Sequence, residues 1–182
     1  MDPQQRLLLE RGYTRLHAAR HEMAALLGSG AGVALGIYAT EFALVLAQSS
    51  LGGSVYASTG SSLSVACGRV SFALGLHGPC ASFETACSAS LVACHAALRA
   101  LQRGECALHL AAGVNLMLLQ ASSIGMAIAG MTSVAGRCHT VGRRADGFGR
   151  GEGCSAAMVR SGDDWLVLMR GSAVRQDGRS AS

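Results

Sequence analysis

Seven cysteines are spread along the 182-residue chain, at positions 67, 80, 87, 94, 106, 138 and 154. Cys87 has the setting best suited to nucleophilic chemistry. The run Ala81-Ser82-Phe83-Glu84-Thr85-Ala86 reads as a strand leading into it. The residues after it read as a helix through Leu91, Leu98 and Leu101 that stops at Gly104. Its neighbours Ala86, Ser88 and Ala89 are all small, as a sharp strand-to-helix turn requires when a substrate must approach closely. Orphan N–H groups and the dipole at a helix start favour an anion, and therefore the thiolate. The backbone N–H of Cys87 is expected to serve in an oxyanion hole. The competing reading is a buried structural thiol, because free cysteine is among the most buried residue types. That reading suits the other six, with Cys94 one helical face away as a neighbour rather than a participant.

An odd count with no CxxC points to free thiols in a reducing, intracellular compartment, cytoplasm or plastid. Cys80, Cys87 and Cys94 recur every seven residues, without the close spacing and histidine support that a zinc site needs. Gly147, Gly149, Gly151 and Gly153 invite a nucleotide-loop reading. Their spacing is GxGxGxG rather than GxGxxG, and no strand–loop–helix order surrounds them. A structural loop needing close backbone approach is the better expectation, with an internal Arg150–Glu152 ion pair.

The elements that must hold Cys87 can be read outward from it. Asp2 and Pro3 suit a helix start, and residues 3–26 read as helical with Leu7, Leu8, Tyr13 and Leu16 on one face. Residues 33–37 form a short apolar strand of the doubly buried kind, and residues 40–48 read as helix. Ser61 to Leu74 is a helix ended by Gly75, followed by a His77-Gly78-Pro79 loop. Residues 107–114 form a buried strand and residues 119–129 a buried helix. Residues 137–153 are loop. Ser155–Arg160 and Trp165–Val174 are expected to be two strands joined by a Ser161–Asp164 hairpin turn. Alternating strands and helices make the class α/β.

Half of the residues are hydrophobic and 14% are charged, which implies elements buried on both faces or a surface covered by a partner. The formal net charge is +4, and all 15 basic residues are arginine. They are scattered, with Arg143-Arg144 the one adjacent pair and no interleaved aromatics, so nucleic acid is not an expected partner. Cys106 to Gly136 carries no charge, but His109, Asn115 and Gln120 interrupt it, so membrane insertion is not expected either. The first residues show neither the basic region nor the apolar stretch of a signal peptide.

Four ordered segments carry a family resemblance. Gly78-Pro79-Cys80-Ala81-Ser82-Phe83-Glu84-Thr85-Ala86-Cys87-Ser88-Ala89-Ser90-Leu91-Val92-Ala93 resembles the active-site signature of β-ketoacyl synthases, the condensing domains of polyketide and fatty-acid synthases. Asp2–Arg6 matches that family's DPQQR string. Ala145–Gly153 resembles its ADGF-x-RGEG segment, and Arg170–Ser180 its RGSAVNQDGRS segment. The resemblance implies a thiolase-like layered α-β-α fold, of which residues 1–182 supply the N-terminal half without the family's first strand. It implies that Cys87 takes an acyl group from the phosphopantetheine of an acyl carrier protein. A malonyl-type extender then loses carbon dioxide and attacks the thioester. No cofactor is bound directly, and a homodimer is expected, with residues 81–86 at its contact.

The family's decarboxylation histidines lie in HGTGT-like and NxGHxE-like motifs. None of the six histidines here, at 17, 21, 77, 95, 109 and 139, lies in such a motif, so the chain alone is expected not to condense. Glu84 stands where the family usually has Asp, Ala89 where it has Ser, Gly142 where Asp is common and Arg175 where Asn is common. The alternative function is a non-catalytic, chain-length-type partner of the same family; retention of Cys87 argues against it. A cysteine hydrolase would need GxCxG glycines, and Thr85 and Ala89 occupy those places.

Overall fold

The fold was analysed as a computed structural model, which describes residues 1–18, 23–162 and 166–179. The first helix, α1 (Pro3–Ala18), is followed by a single turn, α2 (Met23–Leu26). The helix expected over residues 3–26 is thus described as two pieces, and residues 19–22 lie outside the described residues. Asp2 caps α1 as expected: the Gln4 N–H donates to its carboxylate at 2.7 Å. The buried face is Gln4, Gln5, Leu8, Gly12 and Leu16, while Tyr13 is exposed. Gly12 explains the rotation. A Cβ there would lie 3.1 Å from Leu110, so the glycine lets α1 sit close to the sheet and turns the adjacent Tyr13 outward.

Four strands follow: β1 (Gly32–Ile37), β2 (Cys80–Phe83), β3 (Leu108–Asn115) and β4 (Gly153–Arg160), in the order β2-β1-β3-β4. β1 pairs in parallel with both β2 and β3, and β4 runs antiparallel to β3. Helices α3 (Thr40–Ala47), α4 (Ala57–Ser61) and α5 (Leu63–Leu74) connect β1 to β2. Helix α6 (Ala89–Gln102) connects β2 to β3, and α7 (Gln120–Ile128) follows β3. The helix expected from Ser61 is broken at Ser62, whose ψ of 130° is extended. Gly75 ends α5 with φ +65°, the left-handed stop that the sequence suggests.

Alternation along the strands sorts the two faces of the sheet. Val33, Leu35 and Ile37 of β1 and Leu110, Ala112 and Val114 of β3 join Leu8, Leu16, Val70 and Leu74 in the main core, beneath α1 and α5. The opposite face carries Ala34 and Gly36 of β1 beside Ala111 and Gly113 of β3. On that side lies α6, whose buried residues include Ala89, Ala93, Ala97 and Ala100. Small residues on both surfaces bring helix and sheet into close approach. Every residue of β1 is buried, as its unbroken apolar pattern requires.

Three expectations are corrected. The strand before Cys87 ends at Phe83, whose pairing with Gly36 closes its ladder, and not at Ala86. No second strand follows β4 among the described residues; residues 166–179 have no regular structure and Trp165 lies outside the described residues. Leu166, Val167 and Leu168 are exposed, so the apolar run that reads as a strand has nothing among the described residues to bury it. Helix α7 forms where expected but buries no residue, leaving Ile128 82% exposed, because no layer among the described residues covers it.

Candidate active site

The connections leaving the carboxyl ends of β1, β2 and β3 meet at one end of the sheet. From β1 the chain departs toward the α5 face and from β2 toward the α6 face, so this end is a switch point in the topology, where α/β proteins place their sites. Cys87 lies there, exposed, in the connection between Phe83 and Ala89. The connection is a tight turn. The Thr85 carbonyl accepts both the Ser88 N–H at 3.2 Å and the Ser88 hydroxyl at 2.7 Å. Ala86 takes φ +50°, the left-handed region, and it is the one non-glycine residue with positive φ among the described residues. The sharp elbow expected from small neighbours is therefore present, with its strain on the residue before the cysteine. Cys87 precedes the first helical residue by two positions, so it sits at the entrance to α6 rather than in its first turn.

Two glycines seat the first turn of α6. Gly36 and Gly113 are paired across β1 and β3. A Cβ on Gly36 would lie 2.5 Å from the Ala89 carbonyl carbon and the Ser90 nitrogen, and one on Gly113 would lie 2.5 Å from the Ser90 Cβ.

The rim of the same end is held by charge. Glu41, buried on α3, accepts the N–H groups of Leu118 and Leu119 through Oε2 at 2.7 and 2.8 Å. Its Oε1 faces Arg150 at 3.7 Å, and Arg150 also donates to the Ser123 hydroxyl on α7. Glu152 accepts the Met117 N–H at 2.8 Å, and Asn115 donates to the Gly151 carbonyl at 3.0 Å. The expected Arg150–Glu152 pair is thus replaced by two separate anchors, Arg150 turning to Glu41 and Ser123 and Glu152 to the Met117 N–H. The close backbone approach expected of the loop is found at Gly147 and Gly149 but not at Gly151 or Gly153, which have nothing within 4 Å, and Gly153 opens β4. A Cβ on Gly147 would lie 2.5 Å from the Thr132 carbonyl carbon, and one on Gly149 2.6 Å from the Gly136 carbonyl oxygen.

The other cysteines are placed differently. Cys67 is buried in the core. The Cys80 residue is exposed, but its sulfur faces α5 and accepts the Ser71 hydroxyl at 3.3 Å. Burial pushes the thiols of Cys80, Cys94, Cys106 and Cys154 up from their ordinary value, which disfavours the thiolate at each. Cys94 lines a cavity of about 270 Å³ between α6, β3 and β4, with Ser90, Leu91, Gly113 and Ser155; Cys87 is not among its lining residues. Of the histidines, His95 pairs with the Ser172 hydroxyl at 2.8 Å. His109 is buried, its ring lying where a Gly32 side chain would be. Sequence reasoning missed the left-handed Ala86, the Glu41–Arg150 contact and the glycine seat. The alternation of small residues at 34, 36, 111 and 113 was the available signal for the last.

A family model described as "Beta-ketoacyl synthase, N-terminal domain" matches residues 1–164. A phenolphthiocerol/phthiocerol polyketide synthase component of Mycobacterium tuberculosis is 42% identical over 99% of this chain. The spectinabilin polyketide synthase system protein NorC of Streptomyces orinoci is 41% identical over the same share. This chain spans 12% and 8% of their lengths, respectively. Among solved structures, the ketosynthase from module 6 of the bacillaene synthase of Bacillus subtilis 168 superposes with a TM-score of 0.79 at 35% identity. That match covers 88% of this chain and 27% of the other. The oxazolomycin ketosynthase domain OzmH KS7 of Streptomyces albus JA3453 gives 0.80 at 33% identity, covering 88% of this chain and 28% of its own.

Proposed function

This chain belongs to the β-ketoacyl synthase family, and on that premise we propose that it is the N-terminal half of a polyketide synthase ketosynthase domain in which Cys87 is the acyl-accepting nucleophile. The observation that carries the reading is the exposed thiol on a strained elbow at the switch point of the sheet. The Cys87 thiolate attacks the carbonyl carbon of an acyl thioester borne on the phosphopantetheine of an acyl carrier protein. The backbone N–H of Cys87 donates to the oxyanion of the tetrahedral intermediate. Collapse breaks the carbon–sulfur bond to the carrier, whose thiol leaves with a proton, and the acyl group remains on Cys87. In the second half-reaction the extender loses carbon dioxide, its carbanion attacks the Cys87 thioester, and the Cys87 thiolate departs from a β-ketoacyl product two carbons longer.

Residues 1–182 form one partial domain in this reading. Decarboxylation builds negative charge on the extender, and none of the six histidines lies in the family's decarboxylation motifs, so the chain alone acylates without condensing. The uncovered α7 and the exposed Leu166 to Leu168 support a larger domain that buries them. A homodimer is favoured by β2, an edge strand whose Cys80 and Ala81 are exposed and whose one partner is β1. Seven unpaired cysteines favour an intracellular, reducing setting. No described helix is long and apolar enough to cross a membrane.

The test is incubation with an acyl-N-acetylcysteamine thioester, followed by mapping of the adduct by mass spectrometry. Acylation is expected at Cys87; preferential acylation of Cys80 or Cys94 overturns the assignment. A second arm compares β-ketoacyl product from this chain with product from a version extended beyond Ser182, and equal rates would refute the claim that the chain alone cannot condense.

A further inference from the structure

We propose that Gly36 and Gly113 are positioning residues for Cys87: together they form a side-chain-free seat that holds the first turn of α6 against the sheet and thereby aims the elbow. The inference rests on the reading of Cys87 as the nucleophile. The two glycines are register partners on neighbouring strands and project to the same face. Each meets the helix at Ala89–Ser90, immediately after the elbow. The remaining contact surface is alanine: Ala34 and Ala111 on the sheet, and Ala93 and Ala97 further along α6. At the glycine pair even alanine is excluded, because contacts of 2.5 Å are shorter than any real Cβ makes.

The seat acts on Cys87 because the elbow is short and fixed at both ends. Phe83, its upstream anchor, is paired with Gly36 itself. Ala89, its downstream anchor, lies on the same glycine. Five residues, 84–88, span these anchors, and one of them is already in a strained conformation. Lifting the first turn of α6 by about 1 Å, the scale needed to restore ordinary contact, cannot be absorbed by slack. It must be taken up by the Thr85–Ser88 turn and the Ala86 dihedral, which re-aims the sulfur. Misplacement of this size at a reacting group costs up to about 100-fold in rate.

The two glycines differ in a way that makes the seat testable. At Gly36 the obstacle is helix backbone, whereas at Gly113 it is the Ser90 Cβ, with the Ser90 Cα at an ordinary 3.5 Å. Removing the Ser90 side chain therefore relieves Gly113→Ala and leaves Gly36→Ala unrelieved. The experiment uses the whole chain and measures iodoacetamide alkylation of each cysteine by peptide mapping. Exposed Cys138 serves as the internal standard and buried Cys67 as the report on folding. Gly36→Ala and Gly113→Ala are expected to change the Cys87 to Cys138 ratio by more than about twofold, because a re-aimed sulfur meets different neighbours and solvent, with Cys67 still protected. Ser90→Gly should restore the ratio in Gly113→Ala and not in Gly36→Ala. Gly68→Ala, in open space on α5, should change nothing.

If Gly36→Ala exposes Cys67, the Gly113→Ala and Ser90→Gly pair decides alone. The proposal is overturned if Gly113→Ala leaves the ratio within twofold of the parent, or if Ser90→Gly fails to restore it. An acyl-N-acetylcysteamine arm separates this from the functional reading. If the alkylation pattern holds while the parent is not acylated at Cys87, the seat stands and the nucleophile assignment falls.

Discussion

Breaking the Glu41–Arg150 contact from either side should give unequal results. The Glu41 side chain is 3% exposed and that of Arg150 15%, with 3.7 Å between Oε1 and the guanidinium. At that distance the attraction is about 4.5 kcal/mol for an effective dielectric near 20, much of it offset by desolvation of both ions. Arg150→Met leaves a buried carboxylate held by two backbone N–H donors alone, so a loss of about 3 kcal/mol is expected. Glu41→Gln keeps a carbonyl oxygen for Leu118 and Leu119. It leaves Arg150 with the Ser123 hydroxyl and partial access to water, so about 1–2 kcal/mol is expected. The double variant contains no buried charge and should be at least about 1 kcal/mol more stable than Arg150→Met. Urea denaturation with a common m-value provides the comparison. A double variant less stable than Arg150→Met, or an Arg150→Met loss below about 0.5 kcal/mol, would refute the claim that this pair fixes the rim of the site.

Two other residues give direct stability tests. Ala86→Gly should raise the unfolding free energy measured in urea by up to about 1 kcal/mol, because glycine takes φ +50° without a Cβ penalty; Ala86→Val should lower it by about 1–2 kcal/mol. The pH dependence of stability should contain a His109 component. Burial lowers its pKa from the usual histidine value, against a smaller opposing effect of the Leu110 carbonyl and of Glu105. The unfolded chain then takes up the proton first as pH falls. Stability from this group is complete above about pH 6.5 and is lost below it, at no more than about 1.4 kcal/mol per pH unit. Denaturation midpoints measured between pH 7 and 5 should fall less steeply for His109→Gln, and an unchanged slope would exclude His109 as the source.

What the sequence made legible follows from how local each signal is. The strands at 32–37 and 108–115 were readable because continuous apolar runs ended by glycine or polar residues leave few alternatives. Cys87 stood out through its small neighbours, a signal confined to a few residues. The strained residue was not readable, since alanine carries no mark of a left-handed conformation; it is imposed by the Thr85–Ser88 turn and by the anchors at Phe83 and Ala89. The Glu41–Arg150 contact joins positions 109 residues apart, and no periodicity links them. The wrong strand after Asp164 shows the opposite failure. Its apolar pattern is real, but a strand forms only where a neighbour supplies hydrogen bonds and cover, and the described residues supply neither to Leu166–Leu168. The same reasoning explains the bare α7. Both segments carry hydrophobic faces that the four-stranded sheet does not cover. Cys87 differs from them because both ends of its elbow are anchored among the described residues, Phe83 by pairing with Gly36 and Ala89 by lying against the same glycine. β2 and α6 hold the two ends of the exposed elbow, and Glu41 and Arg150 brace the rim. The shape of the elbow therefore depends on contacts among the described residues, whereas α7 and Leu166 to Leu168 find no cover among them.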